Sequence, residues 1–232
     1  MLGTHTAYAE SVNVHLEEKN MNPFNIYRIL HFTNLGYILQ NGIITSPNHP
    51  NSNPNYRSIG NNDIIQIRSN KNVSTHPDNT FRDFIGFYIG KRSIMLYNII
   101  TGYGEIQRVN QDEIIYLVYN ISQINNHGYD YFFTDGHALK APITQFYSDL
   151  ADFHNVDLTD VNATNFSAAA EINYPDLKRK KQSEFHILNE IDFNNIIEIV
   201  VLTNQRQQEI QQLIQQYGYT TNVRVDNDYY FV

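Results

Sequence analysis

Short runs of β-branched and aromatic residues recur along this chain, and their spacing constrains the fold more than any other feature. Ile26–Leu30, Phe84–Ile89, Ile114–Val118, Tyr131–Phe133, Phe185–Leu188 and Ile196–Leu202 each have the composition of a strand. Val223–Val225 and Tyr229–Phe231 read as closing strands. Helical patterns lie between them. Thr33 or Asn34 is placed to cap a helix with Leu35, Ile38 and Leu39 on one face and Gly42 just past its end. Ile210, Leu213, Ile214 and Tyr217 recur at helical spacing, so Gln205–Tyr217 is the clearest helix, ended by Gly218. Phe146, Leu150 and Phe153 have the same spacing, which reads Thr144–Val156 as helical, with Tyr147 projecting differently. The class is α+β, a mixed α/β fold.

Loops occupy much of the rest. Pro and Asn crowd Ser46–Asn62, and a second polar loop spans Ser69–Asn79, with apolar positions resuming between them over Ile64–Arg68. Long loops inside a compact domain are usually functional or disordered. The chain shows no internal repeat and no second composition regime. Residues 24–232 therefore read as one domain, and residues 1–23 as an N-terminal extension, either disordered or an ordered cover on the fold.

Composition removes several kinds of chemistry. The chain has no cysteine, which excludes disulfide frameworks, thiolate zinc sites and cysteine nucleophiles. It has no glycine-rich dinucleotide fingerprint, no P-loop and no HExxH segment. Its 9 histidines are scattered without metal-ligand spacing, so no metal is expected. His31 stands at a strand end, where a satisfied structural histidine and a ligand are both open. No apolar run approaches the roughly 18 residues of a membrane span. Met1–Asn20 is polar, carries Glu10, Glu17 and Glu18, and lacks the layout of a signal peptide. A cytoplasmic protein without a membrane partner is expected. The formal net charge of −8 argues against a general nucleic-acid coat, so any such contact must be local.

One local patch stands out. Lys178, Arg179, Lys180 and Lys181 run directly into Gln182-Ser183-Glu184, and Glu184 leads the apolar run Phe185–Leu188. A carboxylate at the mouth of a buried strand, beside cations that attract phosphate, suits an enzyme handling a nucleotide or a nucleic acid. A solvated basic turn before a strand is the plain alternative.

An ordered set of segments carries a resemblance. It comprises Ile26 to Leu35, Ser58-Ile59-Gly60-Asn61 followed by Arg68, Arg82-Asp83-Phe84, Phe87-Tyr88, Ser93 to Tyr97, Phe133 to Ala138, and Tyr174 through Phe185. In this order they resemble DarT, the DNA ADP-ribosyltransferase toxins of bacterial toxin–antitoxin pairs, over about residues 24 to 232. The resemblance implies an ADP-ribosyltransferase fold with a split central sheet flanked by helices. It implies NAD as co-substrate and single-stranded DNA as acceptor, with ADP-ribose placed on a base, most often thymidine. It also implies a DarG-type macrodomain antitoxin as partner.

Roles follow from the matching positions. Glu184 falls where the family has its catalytic glutamate. A single carboxylate suits the reaction, because a group hydrogen-bonded to the ribose stabilises the cationic sugar left when nicotinamide departs. A second carboxylate is unnecessary, since the base nitrogen replaces water as nucleophile. Arg68 matches the family's essential arginine. A guanidinium rarely gives up a proton, so its physical role is electrostatic, lowering the cost of a thymine N3 anion and contacting NAD. Arg28, Ile29, Leu30, His31, Tyr37, Thr45 and Tyr97 fall at NAD-contact positions, and about Asn53 to Asn70 corresponds to a flexible NAD-binding loop. Met95 flanks the nicotinamide pocket or packs in the core. His137 opens the family's long substrate loop, which closes at Glu184. Lys178, Arg179, Lys180 and Lys181 are expected on DNA phosphates, and Asn165, Phe166 and Tyr174 as sources of base choice. Transfer to guanosine, RNA or protein, and a non-catalytic binding module, are the alternative readings.

Overall fold

The computed structural model describes residues 24–232. The expected N-terminal extension, residues 1–23, lies outside the described residues. The chain runs through β1 (Asn25–His31), α1 (Leu35–Asn41), β2 (Ile43–Thr45), α2 (Asn62–Ser69), β3 (Asn72–Val73), β4 (His76–Thr80), β5 (Phe84–Tyr88) and α3 (Ile94–Thr101). It continues with β6 (Ile114–Asn120), α4 (Ile121–Asn126), β7 (Tyr131–Thr134) and β8 (Phe146–Tyr147). Three short helices follow, α5 (Leu158–Val161), α6 (Ala168–Asn173) and α7 (Leu177–Lys180). The chain ends with β9 (Glu184–Leu188), β10 (Glu190–Asp192), β11 (Glu198–Val201), α8 (Asn204–Gln216) and β12 (Asn222–Val225).

Eight strands form one sheet in the order β12-β11-β6-β1-β5-β9-β7-β8. An interior strand, β6, is buried along its whole length, as its unbroken apolar run requires. The sheet has one weak seam. β1 pairs with β6 along all its residues but meets β5 only at Tyr27 and Tyr88. Beyond Tyr27, the edge of β1 that faces β5 is left without a strand partner among the described residues. This is the split in the central sheet. Each side of the sheet has its own apolar cluster: Ile26, Leu30, Leu117 and Phe185 belong to one, Tyr27, Tyr116, Val118 and Tyr230 to the other.

Helix α1 follows its apolar pattern, but Asn34 at its start caps nothing and bonds the Arg57 backbone instead. Leu35, Ile38 and Leu39 are buried, and Gly42 ends the helix with φ 71°. Helix α8 buries Ile210 and Ile214, and Gly218 follows it at φ 78°.

Four sequence expectations are corrected. The loop expected over Asn53–Asn70 contains α2, started by Asn61, whose side chain accepts a hydrogen bond from the Ile64 N–H. None of its residues is buried, so no apolar stripe announces it. The polar stretch Ser69–Asn79 forms the β3–β4 hairpin instead of a loop. Thr144–Val156 is not an α-helix: Phe146 and Tyr147 pair with β7, and a 3-10 turn spans Leu150–Asn155. Ring stacking explains the strand, since Phe146 lies on Phe132 at 5.6 Å and Tyr147 on Phe133 at 5.4 Å. Tyr229–Phe231 is not a strand. The Asp226 carboxylate accepts from the Asp228 N–H and turns the chain into a 3-10 helix over Asn227–Tyr229. Tyr230 is then sealed into the core, its hydroxyl donating to the Ile114 carbonyl at 2.9 Å.

Candidate active site

Glu184 is the first residue of β9 and faces Tyr88 across the β5 pairing. Strand alternation puts His186 on the same side and turns Phe185 and Ile187 to the opposite one. The Glu184 backbone is anchored from β7: its N–H donates to the Thr134 hydroxyl at 3.2 Å, which donates to the Gly136 carbonyl at 2.7 Å. Arg68, near the end of α2, reaches the same carboxylate. Its Nη1 donates to Oε1 at 3.2 Å, and its Nη2 forms a close ion pair with Oε2. The guanidinium also lies 4.7 Å over the Phe81 ring. Two residues separated by 116 positions are thus brought together, on a carboxylate that is 8 % exposed. Burial pushes the Glu184 carboxyl up, but the Arg68 charge and the His186 hydrogen bond outweigh it and hold the group ionised, well below the usual carboxylate range.

Arg28 guards the seam, donating from β1 to the Gly86 carbonyl of β5 at 2.9 Å. Other expected NAD positions are placed less directly. Leu30 is wholly buried in the core, and Ile29 packs in the opposite cluster, so only their backbone faces the open edge of β1. His31 is also wholly buried and both ring nitrogens are taken. Nδ1 accepts from Thr33, and Nε2 lies 3.4 Å from Glu113. Burial, then Arg57, lower its pKa, while Glu113 opposes them. Tyr37 donates to the Asn51 carbonyl at 3.2 Å, which ties α1 to the following loop, and Thr45 pairs with Glu190 on β10. Tyr97 stands 40 % exposed on α3, edge-on to Phe166 and Phe231 at 5.6 Å each. Met95 packs against the second core cluster.

The structure gives each cation of the basic patch, expected on DNA phosphates, an internal partner. These cations are largely spent within the fold. Lys178 pairs with Glu171 at 2.9 Å, and Lys180 with both Asp157 and Asp160 at 2.9 Å. Arg179 is 12 % exposed and is clamped by Asp135 and Asp176. Lys181 is 3 % exposed and donates to the Val161 carbonyl at 3.1 Å. Burial, then the nearby Arg92, lowers its pKa to about 8. The reason is visible only in three dimensions: α5, α6 and the Asp135 turn fold their carboxylates back onto α7. His137, at the start of the same loop, accepts from the Leu139 N–H at 3.1 Å. Its ring feels Glu184 and Arg68, and burial lowers its pKa.

Sequence reasoning passed over His186 as a site residue. Its Nε2 lies 2.7 Å from Glu184 Oε2. The signal was the period-2 alternation that starts at Glu184. Tyr88, whose phenol is pushed up by burial and then by the Glu184 charge, was cited only as part of a segment. A polar cavity of about 270 Å³ lies between Arg57–Asp63 and Gly104–Val109, but neither Glu184 nor Arg68 lines it. Among the described residues there is no cluster of three His, Asp or Glu side chains able to hold a metal.

The chain as a whole is similar to known proteins. A family model described as "ssDNA thymidine ADP-ribosyltransferase, DarT" matches residues 27–231. The DNA ADP-ribosyl transferase of Thermus sp. (strain 2.9) is 29% identical over 211 residues, covering 90% of this chain and 97% of the relative. That of Escherichia coli is 28% identical over 206 residues, covering 89% and 93%. The structure of Thermus sp. 2.9 DarT in complex with ADP-ribosylated ssDNA superposes with a TM-score of 0.81 at 27% identity, covering 90% of this chain and 97% of that one. The same protein in complex with NAD+ gives 0.78 at 28% identity, covering 90% and 98%. With the family model spanning nearly the whole chain, this protein belongs to the DarT family of ADP-ribosyltransferases.

Proposed function

We propose that this protein transfers ADP-ribose from NAD to thymidine in single-stranded DNA, with Glu184 and Arg68 as its catalytic pair. The observation that carries the reading is the buried Arg68–Glu184 ion pair at the mouth of β9, beside the open edge of β1. NAD supplies an ADP-ribosyl group that becomes cationic at its ribose as nicotinamide leaves. Glu184, held ionised, orients that ribose and stabilises its charge. Arg68 lowers the cost of deprotonating the thymine nitrogen that attacks, and acts as a fixed charge rather than a base. The residues present suit NAD: Arg68 holds the carboxylate, Arg28 sits on the seam at Gly86, and the unpaired backbone at Ile29 and Leu30 offers donors and acceptors that need no particular side chain. Tyr37 and Thr45 then border this groove, His31 supports it from within the core, and Tyr97 is its exposed aromatic rim.

A single-stranded acceptor avoids the cost of extruding a base from a duplex, a few kcal/mol in general. His137 is within electrostatic reach of Glu184 and Arg68, which supports a role for it beside the acceptor base. Lys178, Arg179, Lys180 and Lys181 act by shaping the loop that carries the acceptor, with Lys178 left as the exposed member. Residues 24–232 work as one catalytic unit, in the cytoplasm. No helix among the described residues is long and apolar enough to cross a membrane. A DarG-type macrodomain antitoxin that reverses the modification is the partner the family resemblance implies.

Mass spectrometry of single-stranded oligonucleotides incubated with the protein and NAD tests the reading. One added ADP-ribose on thymine-containing strands alone is expected. Addition only where guanine is present would reassign the acceptor, and no addition to any strand would overturn the DNA reading.

A further inference from the structure

His186 is not part of the catalytic pair, yet its surroundings are built around one of its nitrogens. The ring is 4 % exposed. It lies flat on Phe132, 4.4 Å between centroids and 5° between planes, and meets Phe81 edge-on at 5.6 Å. Opposite stands Gly86, where a Cβ would come within 3.2 Å of the ring's Cε1. This cage leaves the ring little rotational freedom. Nε2 lies 2.7 Å from Glu184 Oε2 and 3.3 Å from Arg68 Nη2; the carboxylate is the nearer, and two lone pairs would not tolerate that separation, so Nε2 carries a proton and donates to Oε2. Nδ1 is buried with no hydrogen-bond partner among the described residues. An orphaned polar atom in so tight a cage is a cost, and it is borne to place the other nitrogen on the carboxylate.

We propose that His186 is a positioning residue for Glu184, whose Nε2–H holds one carboxylate oxygen so that Arg68 can leave the carboxylate for the substrate. The inference rests on the functional reading above. In the structure Arg68 spends both Nη atoms on Glu184, although its role requires it at the acceptor base or NAD. When it turns away, the buried carboxylate would lose its largest stabilising charge and drift in orientation or take up a proton. His186 keeps one donor on Oε2 and leaves Oε1 directed to the ribose. Burial first, then Arg68 and Arg28, keep the ring neutral, against the pull of Glu184. Helix α2 brings Arg68 Nη2 to 3.3 Å from Nε2, and β5, β7 and the turn at Phe81 present Gly86, Phe132 and Phe81 to the ring.

The test uses the whole protein in three forms: wild type, His186→Leu, which fills the cage without a donor, and His186→Gln, whose amide nitrogen reaches about as far as Nε2. Transfer to a thymine oligonucleotide is followed across about pH 5 to 9, with kcat and KM for NAD taken separately. The Leu variant is expected to lose about tenfold or more in kcat with KM little changed, the loss expected for a hydrogen bond to a charged group. Its acid limb should move to higher pH, because Glu184 loses a donor. The Gln variant should recover most of both. A Leu variant with wild-type kcat and pH profile overturns the proposal, as does a Gln variant equally impaired while melting like wild type. Nitrogen-15 NMR of the wild-type imidazole supplies a reading independent of DNA and of variant folding. A protonated Nε2 beside a bare Nδ1 is expected near neutral pH, and a proton on Nδ1 overturns the arrangement. Wild-type protein that modifies no oligonucleotide but shows this tautomer would sink the functional reading and leave the geometry of His186 standing.

Discussion

Glu184 is charged in a place that opposes charge, and its partners decide the outcome. Removing the charge while keeping the shape, as in Glu184→Gln, should lower transfer by about a hundredfold or more, in line with the loss of one preorganised electrostatic group. Arg68→Lys keeps the positive charge but replaces a two-pronged contact by a point charge, so it should cost about tenfold or more in kcat. Both are read from single-turnover transfer to a thymine oligonucleotide. Wild-type rates in Arg68→Lys would show that the fork geometry is irrelevant. These two residues were legible in the sequence through a resemblance of ordered segments. His186 was not, although it stands two residues from Glu184. A histidine on a strand looks the same whether it packs or positions, and only the flat contact with Phe132 and the bond to Oε2 separate the two.

At the scale of elements, the site is held by two strands that must approach closely. β5 and β9 pair from Phe84–Leu188 to Tyr88–Glu184, with Gly86 opposite His186. Gly86→Ala forces a methyl group against the ring, and should destabilise the protein by about 1–3 kcal/mol. Chemical denaturation measures this, and an unchanged midpoint would mean that the ring moves aside freely. Helix α2 presents Arg68 without burying any residue of its own, so its position depends on the Asn61 cap and on the ion pair with Glu184. Strands and amphipathic helices were readable because burial imposes a period. Helix α2 and the β3–β4 hairpin were not, because neither has a fully buried face that would write one into the sequence.

At the scale of the whole molecule, the balance of charge differs from what composition suggests. Three histidines, His31, His137 and His186, are lowered by burial. The unfolded chain therefore binds more protons than the folded one below the ordinary histidine range, and stability should fall as pH drops through about 6.5. Glu184, depressed by its partners, contributes in the same direction at far more acid pH, above the unfolded carboxylate value and lost as the folded one is reached. Denaturation midpoints above and below that range check the sign, and a midpoint that rises on acidification would contradict it. Lys178→Ala should change the salt slope of oligonucleotide binding by less than about one unit, because this cation already has Glu171. A larger change would return the patch to the DNA.

The sequence by itself determined the class, most strands and the two patterned helices, and through resemblance it singled out Arg68 and Glu184 as candidates. Local patterning records burial, and burial is what those elements share. Only the tertiary structure decided that Arg68 meets Glu184, that the sheet opens beside β1, and that Lys178, Arg179 and Lys180 are paired with carboxylates while Lys181 is buried on the Val161 carbonyl. The physical reason is the same in each case. Contacts depend on distance in space, and residues separated along the chain, by 116 positions for Arg68 and Glu184, carry no local sign of which partner the fold will bring within reach.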